Sequence, residues 1–141
     1  MVLIGVGRKN IFFGGVILLA SFTVSCISTT TDVYHIENAS EKRNFTPFVM
    51  SPRSSFYCLH VKGEINGAAE LHFLLPNHDF SKGPTCDDYH VKLDSGKVDK
   101  YIQGDYFGGF ERPNIFYLPC NVTKGHLTID VAFNKDLRSN K

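Results

Sequence analysis

The chain has 141 residues, a formal net charge of +1 and no tryptophan. So neutral a balance offers no basic field to a nucleic-acid backbone, which sets that class of partner aside. Hydrophobic residues at 43% and charged residues at 21% describe one ordinary globular domain, and 12 Phe with 6 Tyr favour pleated strands over helices.

The amino terminus reads as an export segment. Arg8 and Lys9 precede an apolar run from Ile11 to Ala20 that continues through Phe22 to Val24. A basic start, an apolar stretch of about 14 residues and small residues at its end predict a signal peptide over 1–25. The stretch is shorter than the roughly 18–20 residues of a spanning helix, so an uncleaved anchor is the poorer alternative. Val24-Ser25-Cys26 resembles the end of a bacterial lipobox, with Thr23 where that motif usually has Leu. The resemblance implies lipid attachment, palmitate included, at Cys26 as the first mature residue. The alternative is an ordinary secretory signal that leaves Cys26 as a thiol or half of a disulfide. Residues 26–32, rich in Ser and Thr, read as a polar tether.

From there, strand-like segments follow at short spacing: 33–37, 46–50, 55–63, 68–75, 88–94, 97–102, 114–119 and 126–133. Asn66-Gly67, Ser95-Gly96, Gly108-Gly109 and Lys124-Gly125 punctuate them. The expectation is an all-β domain over 33–134, a single antiparallel β-sandwich or small barrel, with a polar tail frayed over 135–141. Leu127, Ile129, Val131 and Phe133 alternate along the last strand and should face the core.

The pair of segments around Asn66-Gly67 reads as a hairpin. A three-residue loop would set Val61 opposite Leu71, Leu59 opposite Phe73 and Tyr57 opposite Leu75 on one face. The other face would hold Lys62 opposite Glu70 and His60 opposite His72.

Of the four cysteines, Cys86 and Cys120 lie beside turn residues, and an exported chain meets an oxidising compartment. They are the expected disulfide, with Cys58 inside a strand. The chain has no Cys-x-x-Cys.

Candidate sites are few. His60 and His72, opposed on the hairpin, are weak candidates for a shared zinc or copper ion; the plainer reading is a pair of surface histidines. Asp87-Asp88-Tyr89-His90 is a polar cluster without the ligand spacing of a calcium loop. The stretch from Gly104 to Pro113 gathers Tyr106, Phe107 and Phe110 among glycines. Such aromatics either plug the open end of a sandwich or form a binding surface for a sugar or protein ligand. Asn38-Ala39-Ser40, Asn44-Phe45-Thr46 and Asn121-Val122-Thr123 are glycosylation sequons, with Pro47 after the second. Neither Gly-x-Ser-x-Gly nor His-Glu-x-x-His occurs, so neither an enzyme nor a cofactor is expected.

Val61-Lys62-Gly63-Glu64-Ile65-Asn66-Gly67 and Asn121-Val122-Thr123-Lys124-Gly125-His126-Leu127-Thr128-Ile129 resemble segments of small uncharacterised lipoproteins of Gram-negative bacteria, the Bacteroidetes group in particular. That resemblance implies an envelope location, lipid-anchored to a membrane, and a binding or structural module with no catalytic residues to carry over. The competing class is a soluble secreted glycoprotein, a ligand or effector with one disulfide.

Overall fold

A computed structural model describes residues 31–49, 53–75, 83–86, 90–109 and 111–140. The expected signal peptide, Cys26, most of the tether, Phe110 and Asp87 to Tyr89 lie outside the described residues. The strands are β1 (Thr31–Ile36), β2 (Arg43–Phe45), β3 (Phe56–Ile65), β4 (Ala69–Leu74), β5 (Val91–Leu93), β6 (Gly96–Asp105), β7 (Asn114–Leu118) and β8 (Gly125–Phe133). Thr31 and Asp32, expected in the tether, already belong to β1.

Two antiparallel sheets of four strands form the sandwich, in the orders β1-β8-β3-β6 and β2-β7-β4-β5. β1 pairs with β8, β2 with β7, β3 with β6 and β4 with β5. Each pair nests inside the one before it, as if one long hairpin had been rolled up. This is the jelly-roll arrangement of an all-β sandwich.

The core lies between the sheets. Leu59, Val61 and Ile65 of β3, Leu71 of β4, Ile115 and Tyr117 of β7, and Leu127, Ile129, Val131 and Phe133 of β8 are all buried there. Alternation along the strands sends these side chains inward.

The hairpin expected at Asn66-Gly67 is not formed. β3 and β4 belong to different sheets, and the chain turns a corner between them. The β7–β8 connection captures that corner. Asn66 Oδ1 accepts from Thr123 N and Lys124 N at 3.0 and 2.9 Å, and Asn121 N donates to Ala68 O at 3.1 Å. Gly67 lies against the Asn121 backbone with no room for a Cβ. The apolar alternation of the two segments is real, but it faces them across the core. Tyr57 accordingly stacks on Phe73, ring centroids 3.7 Å apart.

The second strand is also displaced, from the expected 46–50 to Arg43–Phe45. Its pairing with β7 ends at Phe45↔Ile115, and Pro47, which has no N–H to give a ladder, follows. The tail contains a 3-10 turn, Leu137–Asn140, lying against β3. Arg138 in that turn bonds both Asp136 and Gln103.

Candidate binding surface

One end of the sandwich carries the long connections. β1 and β3 begin there and β6 and β8 finish there, as the pairings Thr31↔Ala132, Tyr57↔Phe133 and Phe56↔Asp105 require. The other sheet aligns with it. Phe48 N donates to Asp32 Oδ2 at 2.7 Å, Tyr106 N donates to Ser55 O at 2.9 Å, and Thr46 Oγ1 bonds Asn114 Oδ1 at 3.1 Å.

The aromatic loop after β6 divides its residues. Tyr106 is fully buried, so the expected surface does not include it. Its ring meets Phe133 and Phe73 edge-on at 5.1 and 6.3 Å, filling the space where the two sheets part. Its hydroxyl donates to Glu111 O, and Gly108 folds so closely over the ring that a Cβ would strike that hydroxyl. Burial, with Glu111 second, raises the Tyr106 pKa above its ordinary value. With its neighbour turned inward, Phe107 points out and is 79% exposed. Phe48 and Leu75 stand at the same end, 46% and 43% exposed, and the Arg112 guanidinium sits 4.6 Å above the Phe48 ring. Phe48 falls in the middle of the expected strand 46–50 and Leu75 at the end of 68–75, so neither stands out from the sequence as a surface residue. Pro47 was the available signal that the second strand had already ended.

His60 and His72 are not opposed. His60 lies on the outer face of the β1-β8-β3-β6 sheet. Its Nε2 is 2.6 Å from Asp99 Oδ1, its Nδ1 is 3.7 Å from Asp130 Oδ2, and its ring stacks on Tyr101 at 3.8 Å. Lys62 bonds Asp130 at 2.8 Å, and that hydrogen bond raises the lysine pKa. His72 is fully buried on the far side of the other sheet, 3.1 Å from Glu70 Oε2 and with the His90 ring 4.4 Å away. The sheets of a sandwich stand about 10 Å apart, so two imidazoles on opposite outer faces cannot share an ion. Among the described residues no group of three or more His, Cys, Asp or Glu could hold a metal.

Cys86 and Cys120 are joined, with Cα atoms 5.6 Å apart, which ties the β4–β5 connection to the end of β7. Cys58 is a buried free thiol on β3. At the turn-bearing end, a groove of about 570 Å³ is lined by Glu64, Asn66, Ser95, Gly96, Lys124 and His126 among others.

The fold and these sites define a small, disulfide-bonded jelly-roll domain with an apolar loop end and a polar turn end. No family model matches the chain, and no curated protein matches it. Among solved structures it is similar to one from a study reporting that Bacillus endospore appendages form a novel family of disulfide-linked pili. That likeness has a TM-score of 0.42 and 10% identity, over 77% of this chain and 88% of the other.

Proposed function

We propose that this protein is an exported structural or binding module, anchored in the cell envelope through lipid on Cys26. The observation that carries the reading is the Cys86–Cys120 disulfide. Such a bond persists where thiols are oxidised, outside the cytosol, and the basic-then-apolar amino terminus supplies a route there. Jelly rolls serve as lectin and shell-forming domains, which favours binding or assembly by analogy of fold. The lipid and the Bacteroidetes-type kinship rest on the resemblance at Val24-Ser25-Cys26 and in the turn segments.

The test is the intact mass of the mature protein from its native host. A chain beginning at Cys26 with added acyl mass supports the anchor. An unmodified start near that position overturns it. Added hexose mass would favour the secreted glycoprotein instead, with Asn38 and Asn121, both exposed, as the acceptors.

A further inference from the structure

We propose that the loop end of the sandwich rests on the lipid bilayer itself, with Phe107, Phe48 and Leu75 inserted at the interface and the turn end pointing away. This deepens the anchored reading and rests on it.

The exposed apolar side chains are placed unevenly. Val33, Phe48, Leu75 and Phe107 are the large hydrophobics exposed among the described residues. Three of them crown the loop end, and Val33 stands two residues along β1 from Thr31. The opposite end presents Asn66, Asp94, Ser95, Asn121, Thr123 and Lys124, all exposed. A globular surface scatters single apolar residues; it does not ordinarily sort them to one pole.

The chain also approaches from that pole. Thr31 lies five positions after Cys26, a reach of at most about 17 Å when fully extended. Lipid at Cys26 would therefore hold the loop end at the membrane, leaving no room for the domain to turn over. Apolar rings held at that distance lose water contact by entering the headgroup boundary, which stabilises the docked orientation.

Charge does not drive the contact. Among the described residues, exposed Arg53 and Arg112 at this end are matched by exposed Asp105 and Glu111. A near-balanced surface gives little attraction to anionic lipid, so the docking should be insensitive to salt.

The chain has no tryptophan, so one introduced tryptophan reports alone. Phe107→Trp and, at the far pole, His126→Trp are made in the full chain and mixed with phosphatidylcholine vesicles carrying brominated acyl chains. The expected result is quenching of Phe107→Trp at least about twofold stronger than of His126→Trp, unchanged by added salt or by phosphatidylglycerol. Equal quenching of the two, or none, overturns the proposal. Quenching that appears only with phosphatidylglycerol and vanishes in salt overturns the apolar mode of contact. The intact mass of the same samples decides separately whether Cys26 is acylated. Failure of the anchor and failure of the docking are thus read from different signals.

Discussion

The hydroxyl of Tyr117 on β7 donates to the carbonyl of Ala39 at 2.8 Å, joining the middle of one sheet to the turn after β1 across 78 positions of sequence. Both residues are fully buried. Ala39 N in turn donates to Gly125 O at 2.9 Å, so the turn is bonded to both sheets.

Removing that hydroxyl should be felt in two ways. Tyr117→Phe leaves a buried carbonyl short of one donor and should cost about 1 kcal/mol of stability at neutral pH, read from urea melts. It should also flatten the alkaline limb of the pH profile. Burial pushes the Tyr117 pKa up to about 12. Because the folded value is raised, the stabilisation is complete below the unfolded value of about 10 and is lost as pH rises toward 12, at no more than about 1.4 kcal/mol per pH unit. Tyr34, also raised to about 12 by burial and by Asp32, adds a smaller share because it is partly exposed. A Tyr117→Phe profile that falls as steeply as the parent's above pH 10 would count against this assignment.

Reducing the disulfide should lower stability substantially. The bridge spans 34 positions, and chain-entropy estimates for a loop of that size give roughly 3–4 kcal/mol. Thermal melts of the Cys86→Ser, Cys120→Ser double variant should show a single transition at clearly lower temperature. An unchanged melting temperature would mean that the bridge constrains only a segment already loose in the folded state.

Gly63 and Gly125 should not accept alanine. Their φ angles are 143° and 145°. A Cβ on Gly63 would run into the His126 carbonyl and come 2.9 Å from Leu127 Cα, and one on Gly125 would meet Glu64 O and lie 2.8 Å from Ile65 Cα. The two glycines let β3 and β8 approach at the turn end. Either substitution should destabilise by about 2–4 kcal/mol, or reduce soluble yield, whereas Gly96→Ala, with open space around it, should cost only its backbone strain of about 1–2 kcal/mol.

Cys58 should be silent toward thiol reagents until the tail is disturbed. It is fully buried although it sits on the outward side of β3. The turn Leu137–Asn140 packs against that strand, and Arg138 bonds Gln103, which pairs with Cys58. Truncation after Asn134 should raise the labelling rate of Cys58 by at least about tenfold with little loss of global stability. Labelling at the rate of global unfolding in both forms would show that the strands alone shield the thiol.

How much of this could be read from the residues divides along a physical line. Inward-facing positions were legible because burial leaves a period of two, and Leu127 to Phe133 show it without interruption. Strand partners were not. Val61 and Leu71 satisfy their pattern equally well side by side in a sheet or face to face across a core, and only the capture of Asn66-Gly67 by residues 121–124 decides between them. The same ambiguity misplaced His60 and His72: the carboxylates beside His60, Asp99 and Asp130, come from other strands, whereas the one beside His72 is Glu70, two residues earlier on its own strand. The loop after β6 was legible as unusual, yet the opposite fates of Tyr106 and Phe107 depend on a hole between sheets that no local pattern describes.

The nested pairing of strands has a kinetic meaning. β1 can be completed only against β8, and β2 only against β7, so nearly every ladder joins distant parts of the chain. Contacts of that kind form slowly, because the entropy of closing long loops is lost before any pairing repays it. A chain emerging from the ribosome holds no early hairpin stable enough to lock it. It stays threadable until its last strand has been made, a delay that the proposed export route would require.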